Sequence, residues 1–161
     1  MKLFSIFILS VFLVQEPIEP KLELENFVFQ EQELPNGCKL KPVASNDRLP
    51  CAATSNPFIS SERSFLDCFT RQFVRDSALI QSVKRGLFSV YEDQSEIGIY
   101  GLETDSEETT RLILNHIETN YPNDESGEFI QSGKMLIWLW HDKGKPNSFD
   151  DLKKLIEAQI K

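Results

Sequence analysis

The alternation of apolar and polar residues in the second half of the chain predicts two successive strand–strand–helix units. The predicted strands are short runs of apolar residues, and the predicted helices carry apolar residues three or four positions apart. In order, the elements are strands 83–91 and 96–103, a helix over 106–121, strands 128–131 and 134–141, and a helix that starts after Ser148. This pattern favours an α+β domain over residues 81–161.

The hydrophobicity of these strands predicts their order in the sheet. Strands 96–103 and 134–141 are the most apolar, so we place them at the centre, where burial is greatest. Hairpin pairing then gives an antiparallel four-stranded sheet of order 1-2-4-3 with both helices on one face. This is the topology of a permuted ferredoxin-like plait, and a topology alone implies no function.

Strand 134–141 is apolar on both of its faces. Side chains alternate along a strand. The two resulting sets are Leu136, Trp138 and Trp140 on one face, and Met135, Ile137 and Leu139 on the other. The two helices cover one set. The other set is covered by residues 26–80, or it binds a partner, a second copy of the chain or an apolar ligand.

The first half of the chain predicts less regular structure. Residues 16–25 are rich in Glu, Lys and Pro, which indicates a linker. Residues 26–80 contain four prolines and form a loop-rich segment with one helix. That helix is expected to start near Ser60 or Ser61 and to end near Val74.

The N-terminus carries a candidate export signal. Lys2 precedes an apolar run from Leu3 to Val14, which is too short to cross a bilayer and has the length of a signal-peptide core. We therefore expect residues 1–15 to be a signal peptide and the mature protein to be secreted or periplasmic, without stable membrane insertion after cleavage. An uncleaved anchor is the alternative, because no small-residue cleavage motif follows Val14.

The chain is acidic, with a net charge of −8. Removal of residues 1–15, whose one charged residue is Lys2, makes the net charge one unit more negative. A surface of this sign repels phosphate backbones and anionic lipid headgroups, so nucleic acid is excluded as a partner. The acidity serves solubility or attracts a cationic partner.

The three cysteines predict one disulfide. Cys38 and Cys51 lie in a Pro-rich stretch with little apolar content. A bridge between them would close a loop of about 14 residues, worth about 3 kcal/mol if it acts through chain entropy. We expect this pair to be oxidised and Cys68 to be a reduced, packed residue of the predicted helix. The alternative is a bridge between Cys51 and Cys68.

The histidines offer the candidate catalytic chemistry. The chain has two, and His116 falls on the solvent side of a predicted helix. His141 and Asp142 follow the central strand, where a His beside a carboxylate would allow general-base chemistry. No residue at metal-ligand spacing accompanies them, and the sequence has no phosphate-binding or nucleophile motif. We therefore expect no cofactor and no metal.

Three aromatic residues supply the candidate binding surface. Tyr100 lies on the strand next to Trp138 and Trp140, so the three rings form an aromatic platform or part of the core. We predict a non-enzymatic binding module with these residues and His141 as contacts, and with an unidentified protein, a small ligand or a second copy as partner. The alternative is a small cofactor-free enzyme that uses His141 and Asp142 in a pocket between sheet and helices.

Overall fold

The structure, a computed structural model, describes residues 22–43, 49–121, 125–142 and 144–161. The predicted signal peptide and residues 16–21 of the predicted linker lie outside the described residues.

The described residues form an α+β fold with an antiparallel sheet and four α-helices. The strands are β1 (Lys39–Leu40), β2 (Phe58–Ser60), β3 (Val83–Glu92), β4 (Glu96–Thr104), β5 (Gly127–Ser132) and β6 (Met135–His141). The helices are α1 (Arg63–Thr70), α2 (Ser77–Ser82), α3 (Glu107–Asn120) and α4 (Phe149–Gln159). Short 3₁₀ turns occupy Leu24–Phe27, Glu31–Glu33 and Pro50–Ala52. Within the described ranges, no helix combines the length and hydropathy needed to cross a membrane.

The four long strands have the predicted order. β3 pairs with β4, β4 with β6, and β6 with β5, each in antiparallel register. Two short strands that the sequence did not predict extend the sheet to six strands. Both pair with the outer edge of β3: β1 lies opposite Tyr91 and Glu92, and β2 lies opposite residues 86–88. The outer edge of β3 is thus shared by two segments that leave a gap between them.

The two C-terminal helices lie on opposite faces of the sheet, so the ferredoxin-like plait is not confirmed. α3 buries Ile113 in the same apolar cluster as Leu136 of β6. α4 buries Leu152 in the cluster that contains Leu139 of β6. The expectation that both helices share one face is therefore wrong.

The alternation of β6 explains this arrangement. We call the face of Leu136, Trp138 and Trp140 the Trp face, and the face of Met135, Ile137 and Leu139 the opposite face. Each face presents three large apolar side chains, so each needs its own cover. Helices α1, α2 and α3 cover the Trp face, whereas α4 and the Leu24–Phe27 turn cover the opposite face.

The segment before β3 contributes to both faces. Phe27 and Phe29 are buried on the opposite face, and Phe65 and Phe69 of α1 are buried on the Trp face. Leu24 is fully buried as well, although the predicted linker extended to residue 25. Leu22 packs against the same cluster, so this mostly polar stretch contributes two apolar side chains to the core.

The disulfide joins Cys51 to Cys68, with 5.5 Å between the two Cα atoms, and this corrects the predicted Cys38–Cys51 bridge. Cys38 is a free, buried thiol. The reason is the sheet: Cys38 belongs to the cluster on the opposite face, whereas Cys51 packs against the Trp face. Closeness along the chain could not reveal that the sheet separates these two thiols.

Candidate functional site

Two glycines create the space in which the tryptophan rings lie on the sheet. Trp140 of β6 is in register with Gly98 on one neighbouring strand and Gly127 on the other. A Cβ atom built on Gly98 would lie 2.0 Å from Cε2 of Trp140, and one built on Gly127 would lie 2.4 Å from Nε1 of Trp138. A Cβ at either position would clash with an indole, so both glycines are needed for the close approach of the rings to the backbone.

Tyr100 connects the two tryptophans. Its ring centroid lies 5.5 Å from that of Trp138 and 5.6 Å from that of Trp140, both in edge-on geometry. Phe88 of β3 approaches Tyr100 from the other side, with 5.5 Å between the ring centroids. Such spacings and tilts are favourable for aromatic pairs. Burial, followed by the charge of Glu96, raises the pKa of Tyr100 to about 12.

A cavity of about 270 Å³ opens beside Trp140, and we call it the Trp140 cavity. The rings of Trp140, Tyr100 and Phe88 line it on the side of the sheet. Leu49 and Pro50 line it on the side of the loop that leads into β2. Trp140 and Tyr100 are each half-buried, so part of each side chain is exposed, and both line the cavity.

A charged pair lies at the rim of this cavity. The ammonium group of Lys41 donates to the carboxylate of Glu96, and about two-fifths of each side chain is exposed. An ion pair with this exposure contributes little to folding stability because water screens it. It does place one positive and one negative group at the entrance to a space that aromatic, aliphatic and amide side chains line.

Asn56 closes the gap on the edge of β3. Its side-chain amide donates to the carbonyl oxygens of Lys41 and Val90, at 2.8 and 2.7 Å, and its carbonyl accepts from the backbone N–H of Val90 at 2.8 Å. The side chain therefore acts as a piece of strand between β1 and β2. The same residue lines the Trp140 cavity, so it fixes one wall.

The disulfide fixes the same wall from the other side. Pro50 lines the cavity, and the next residue, Cys51, is bonded to Cys68 on α1. The side-chain amide of Gln72 also donates to Sγ of Cys51, with 3.4 Å between the atoms. The segment 49–57 is thus attached to the body of the fold at Cys51 and at Asn56.

A wider and more open cleft of about 960 Å³ lies on the far side of Lys41, Pro42 and Val43. Gln30, Glu31, Thr54 and other polar residues contribute to its lining, and no tryptophan does. The smaller cavity therefore has the better-formed aromatic wall, and we take it as the candidate site.

The structure brings only part of the predicted contact set together. Tyr100 and Trp140 line the Trp140 cavity. Trp138 is on the same face but is packed: its ring stacks on Phe129 with 5.6 Å between centroids and meets Phe73 edge-on. The platform is therefore divided: two of its three rings line the cavity, and the third, Trp138, packs against the core.

His141 lies apart from this site. Its ring is on the opposite face, edge-on to Phe149 of α4, with 5.3 Å between centroids. Nδ1 of His141 is buried and has no hydrogen-bond partner among the described residues, while Asp142 is exposed at the end of the strand. No hydrogen bond or ion pair joins these two side chains in the described structure, so nothing in their geometry resembles a general-base pair.

The sequence did not predict the residues that form the wall of the cavity opposite the sheet. Asn56, Leu49 and Pro50 lie far from β6 in sequence, and only the edge pairing of β1 and β2 places them there. The one available signal was Gly98, a glycine inside an apolar strand, which indicates close approach of another group.

The described residues contain no cluster of three or more metal-binding side chains. Comparison of the chain with protein-family models, with curated proteins and with solved structures gives no match in any of the three.

Proposed function

We propose that this protein is an exported, non-enzymatic binding module, and that the Trp140 cavity receives one ring-sized apolar group of a small ligand. The observation that carries the proposal is the pair of half-buried aromatic side chains, Trp140 and Tyr100, that line one wall of a partly open cavity. Aromatic walls with a few polar groups are typical of small-molecule sites.

The size of the cavity limits the ligand. At about 270 Å³ it is near the lower end of ligand pockets. Cavities of about 150 Å³ lined by apolar side chains are large enough for benzene. We therefore expect a single ring or a short branched chain to enter, with the rest of the ligand outside.

The polar groups at the rim select what is attached to that ring. Lys41 and Glu96 present opposite charges, and Asn56 presents an amide whose donor and acceptor are already engaged. A ligand with a hydroxyl or a zwitterionic substituent is matched by this rim better than one with a single uncompensated charge.

The same lining argues for binding rather than catalysis. Among the described residues that line the Trp140 cavity there is no His, Cys, Ser or Asp. The ionisable groups there are Lys41 and Glu96, which neutralise each other, and the protonated Tyr100. Of these groups only the Lys41 amine could act as a nucleophile beside a base, and in its ion pair with Glu96 it is an ammonium group, which has no lone pair to attack with.

Export is supported by two observations of different kind. The first is the signal-like N-terminal run, and the second is the Cys51–Cys68 disulfide, because such bonds persist mainly in oxidising compartments. Expression with the full N-terminus, followed by fractionation and N-terminal sequencing, tests this part. Recovery of the intact N-terminus from the cytosol alone would refute export and leave the binding site untouched.

The two tryptophans allow a matched test of the binding site. Neither indole N–H has a hydrogen-bond partner in the described structure, so replacing either residue by Phe removes ring area without removing a hydrogen bond. Trp138→Phe leaves Trp140 as the only tryptophan, and Trp140→Phe leaves only Trp138.

We would titrate both variants with benzyl alcohol and cyclohexanol and record tryptophan emission together with saturation-transfer NMR of the ligand. The proposal predicts that tryptophan emission changes saturably with ligand concentration in Trp138→Phe and does not change in Trp140→Phe. It also predicts that the saturation-transfer signal is lost in a Leu49→Ala, Trp140→Ala double variant that remains folded. Linear, unsaturable responses in both single-tryptophan variants would overturn it.

A further inference from the structure

We infer that the Cys51–Cys68 disulfide is a redox switch for the Trp140 cavity, an inference that rests on the proposed function. Leu49 and Pro50 line the cavity, and the adjoining Cys51 carries the covalent bond to α1. Any change in the bond is therefore transmitted to a wall of the site through a single peptide unit.

The backbone at this point adopts a conformation that the bond helps to maintain. Cys51 and Ala52 have φ angles of 53° and 59°, in the left-handed region that residues with a Cβ avoid. This conformation is unfavourable for such residues and persists only where their surroundings impose it. When the bond is cut, these two residues are free to return to the extended region, and Pro50 is displaced with them.

The other attachments of the segment do not depend on the bond, because Leu49 and Ala53 also pack against the apolar cluster of the Trp face. Asn56 still bridges Lys41 and Val90, and α1 still buries Phe65, Leu66 and Phe69 in the core. Reduction should therefore move the turn Pro50–Ala52 and leave the sheet and its helices folded. A switch needs such a local element, since a bond that held the whole fold would only unfold it.

The two sulfurs of the disulfide differ in how readily a thiolate attacks them. Cys68 is exposed on α1, whereas Cys51 is partly covered. Cys68 also lies in the last turn of α1, where the helix dipole disfavours a thiolate, while the amide of Gln72 donates to Sγ of Cys51 and stabilises a thiolate there. Access and leaving-group stability both direct attack to Cys68 with Cys51 as the leaving group.

The reductant is a dithiol. Its first thiolate attacks Sγ of Cys68, the bond between the two cysteine sulfurs breaks, and Cys51 leaves as a thiolate that takes a proton from water. The second thiol of the reductant, after losing its proton, attacks the reductant sulfur of the mixed disulfide and releases Cys68 as a thiolate, which is then protonated. The protein gains two electrons and two protons, and the dithiol becomes a disulfide.

The test uses the full chain in a Cys38→Ala, Trp138→Phe background, so that the only thiols are those of the switch and the only tryptophan is Trp140. Two readouts are compared before and after reduction by dithiothreitol: acrylamide quenching of Trp140 and the affinity for benzyl alcohol. Alkylation confirms that both thiols are free, and far-ultraviolet circular dichroism confirms that the fold is retained.

We expect the quenching constant to rise about twofold and the affinity to fall about tenfold, because an ordered wall is lost. A Cys51→Ser, Cys68→Ser double variant should match the reduced protein under all conditions. Unchanged quenching in a folded protein with both thiols free would overturn the switch.

If the oxidised protein binds no ligand but quenching still responds to reduction, the proposed function is refuted and the switch stands. With limiting glutathione, a mixed disulfide found on Cys51 rather than Cys68 would refute the direction of attack.

Discussion

The side-chain amide of Asn56 makes hydrogen bonds to both backbone groups of Val90, with donor–acceptor distances of 2.7 and 2.8 Å. Val90 lies between the residues of β3 that pair with β1 and those that pair with β2. A side chain thus replaces one residue of a strand, and it is also where the cavity wall joins the sheet.

Replacing Asn56 by Ala should lower the free energy of unfolding by about 1–3 kcal/mol, because the N–H of Val90 loses its only described partner. The carbonyl of Val90 keeps the hydrogen bond from the backbone N–H of Lys41. Urea unfolding measures the loss, and amide hydrogen exchange should show faster exchange at Val90. The exposed Asn115 on α3 is the matched control, and its replacement by Ala should change stability by less than about 0.5 kcal/mol. Equal effects of the two substitutions would contradict the role given to Asn56.

Gly98→Ala should displace the ring of Trp140. The new methyl carbon would lie 2.0 Å from the indole, so the ring must move into the cavity, at a cost of about 1–3 kcal/mol for an overpacked site. The loss is measured by thermal or urea unfolding, and binding of benzyl alcohol should disappear because the ring now fills the space.

A second substitution distinguishes the clash with Trp140 from any other effect of Gly98→Ala on stability. In a Trp140→Leu background, the smaller side chain no longer covers Gly98, so Gly98→Ala should cost little or nothing. The two substitutions should therefore show a coupling energy of about 1 kcal/mol or more in a double-mutant cycle. Additive effects would mean that Gly98 matters for a reason other than Trp140.

The contrast between Gly98 and the helices shows what the sequence could and could not predict. The alternation of β6 correctly separated Leu136 and Trp138 from Ile137 and Leu139, and hydrophobic ranking gave the order of the long strands. The side on which α3 and α4 pack was not predictable, because both faces of β6 are equally apolar and nothing local distinguishes them.

The site illustrates the same limit. Tyr100 and Trp140 were identifiable because they lie on adjacent, strongly apolar strands. The wall built by Leu49, Pro50 and Asn56 depends on contacts between residues more than thirty positions apart, such as Asn56 with Val90. Long-range edge pairing leaves no periodic pattern in a single sequence, and the cysteine pairing was missed for the same reason.

Tyr100 should make stability decrease at high pH. Its pKa is about 12 in the folded protein and near 10 when unperturbed, because burial disfavours the phenolate. Below pH 10 the phenol is neutral in both states and costs nothing. Between pH 10 and about 12 the unfolded chain releases its proton first, so stability falls as pH rises, by about 2–3 kcal/mol in total.

Tyr100→Phe isolates this contribution. Unfolding free energies of the two proteins should differ by a constant amount below pH 10, and the variant should lose less stability above it. Some dependence should remain, because burial also raises the pKa of Tyr91, whose hydroxyl accepts from the backbone N–H of Phe29. Parallel stability curves for the two proteins through this range would show that the phenol of Tyr100 titrates normally.

The three cysteines should differ sharply in their reaction with iodoacetamide. Cys38 is 7% exposed, and burial raises its pKa, so the native protein should show almost no alkylation near neutral pH. Cys51 and Cys68 should not react until the disulfide is reduced, and then both should react. Denaturation without reductant should expose Cys38 alone, giving one modified peptide and one intact disulfide-linked pair by mass spectrometry. A disulfide-linked Cys38–Cys51 peptide in that digest would contradict the observed pairing. Such a bond would require residues 49–57 to reach the opposite face of the sheet, and the hydrogen bonds of Asn56 to Val90 prevent this.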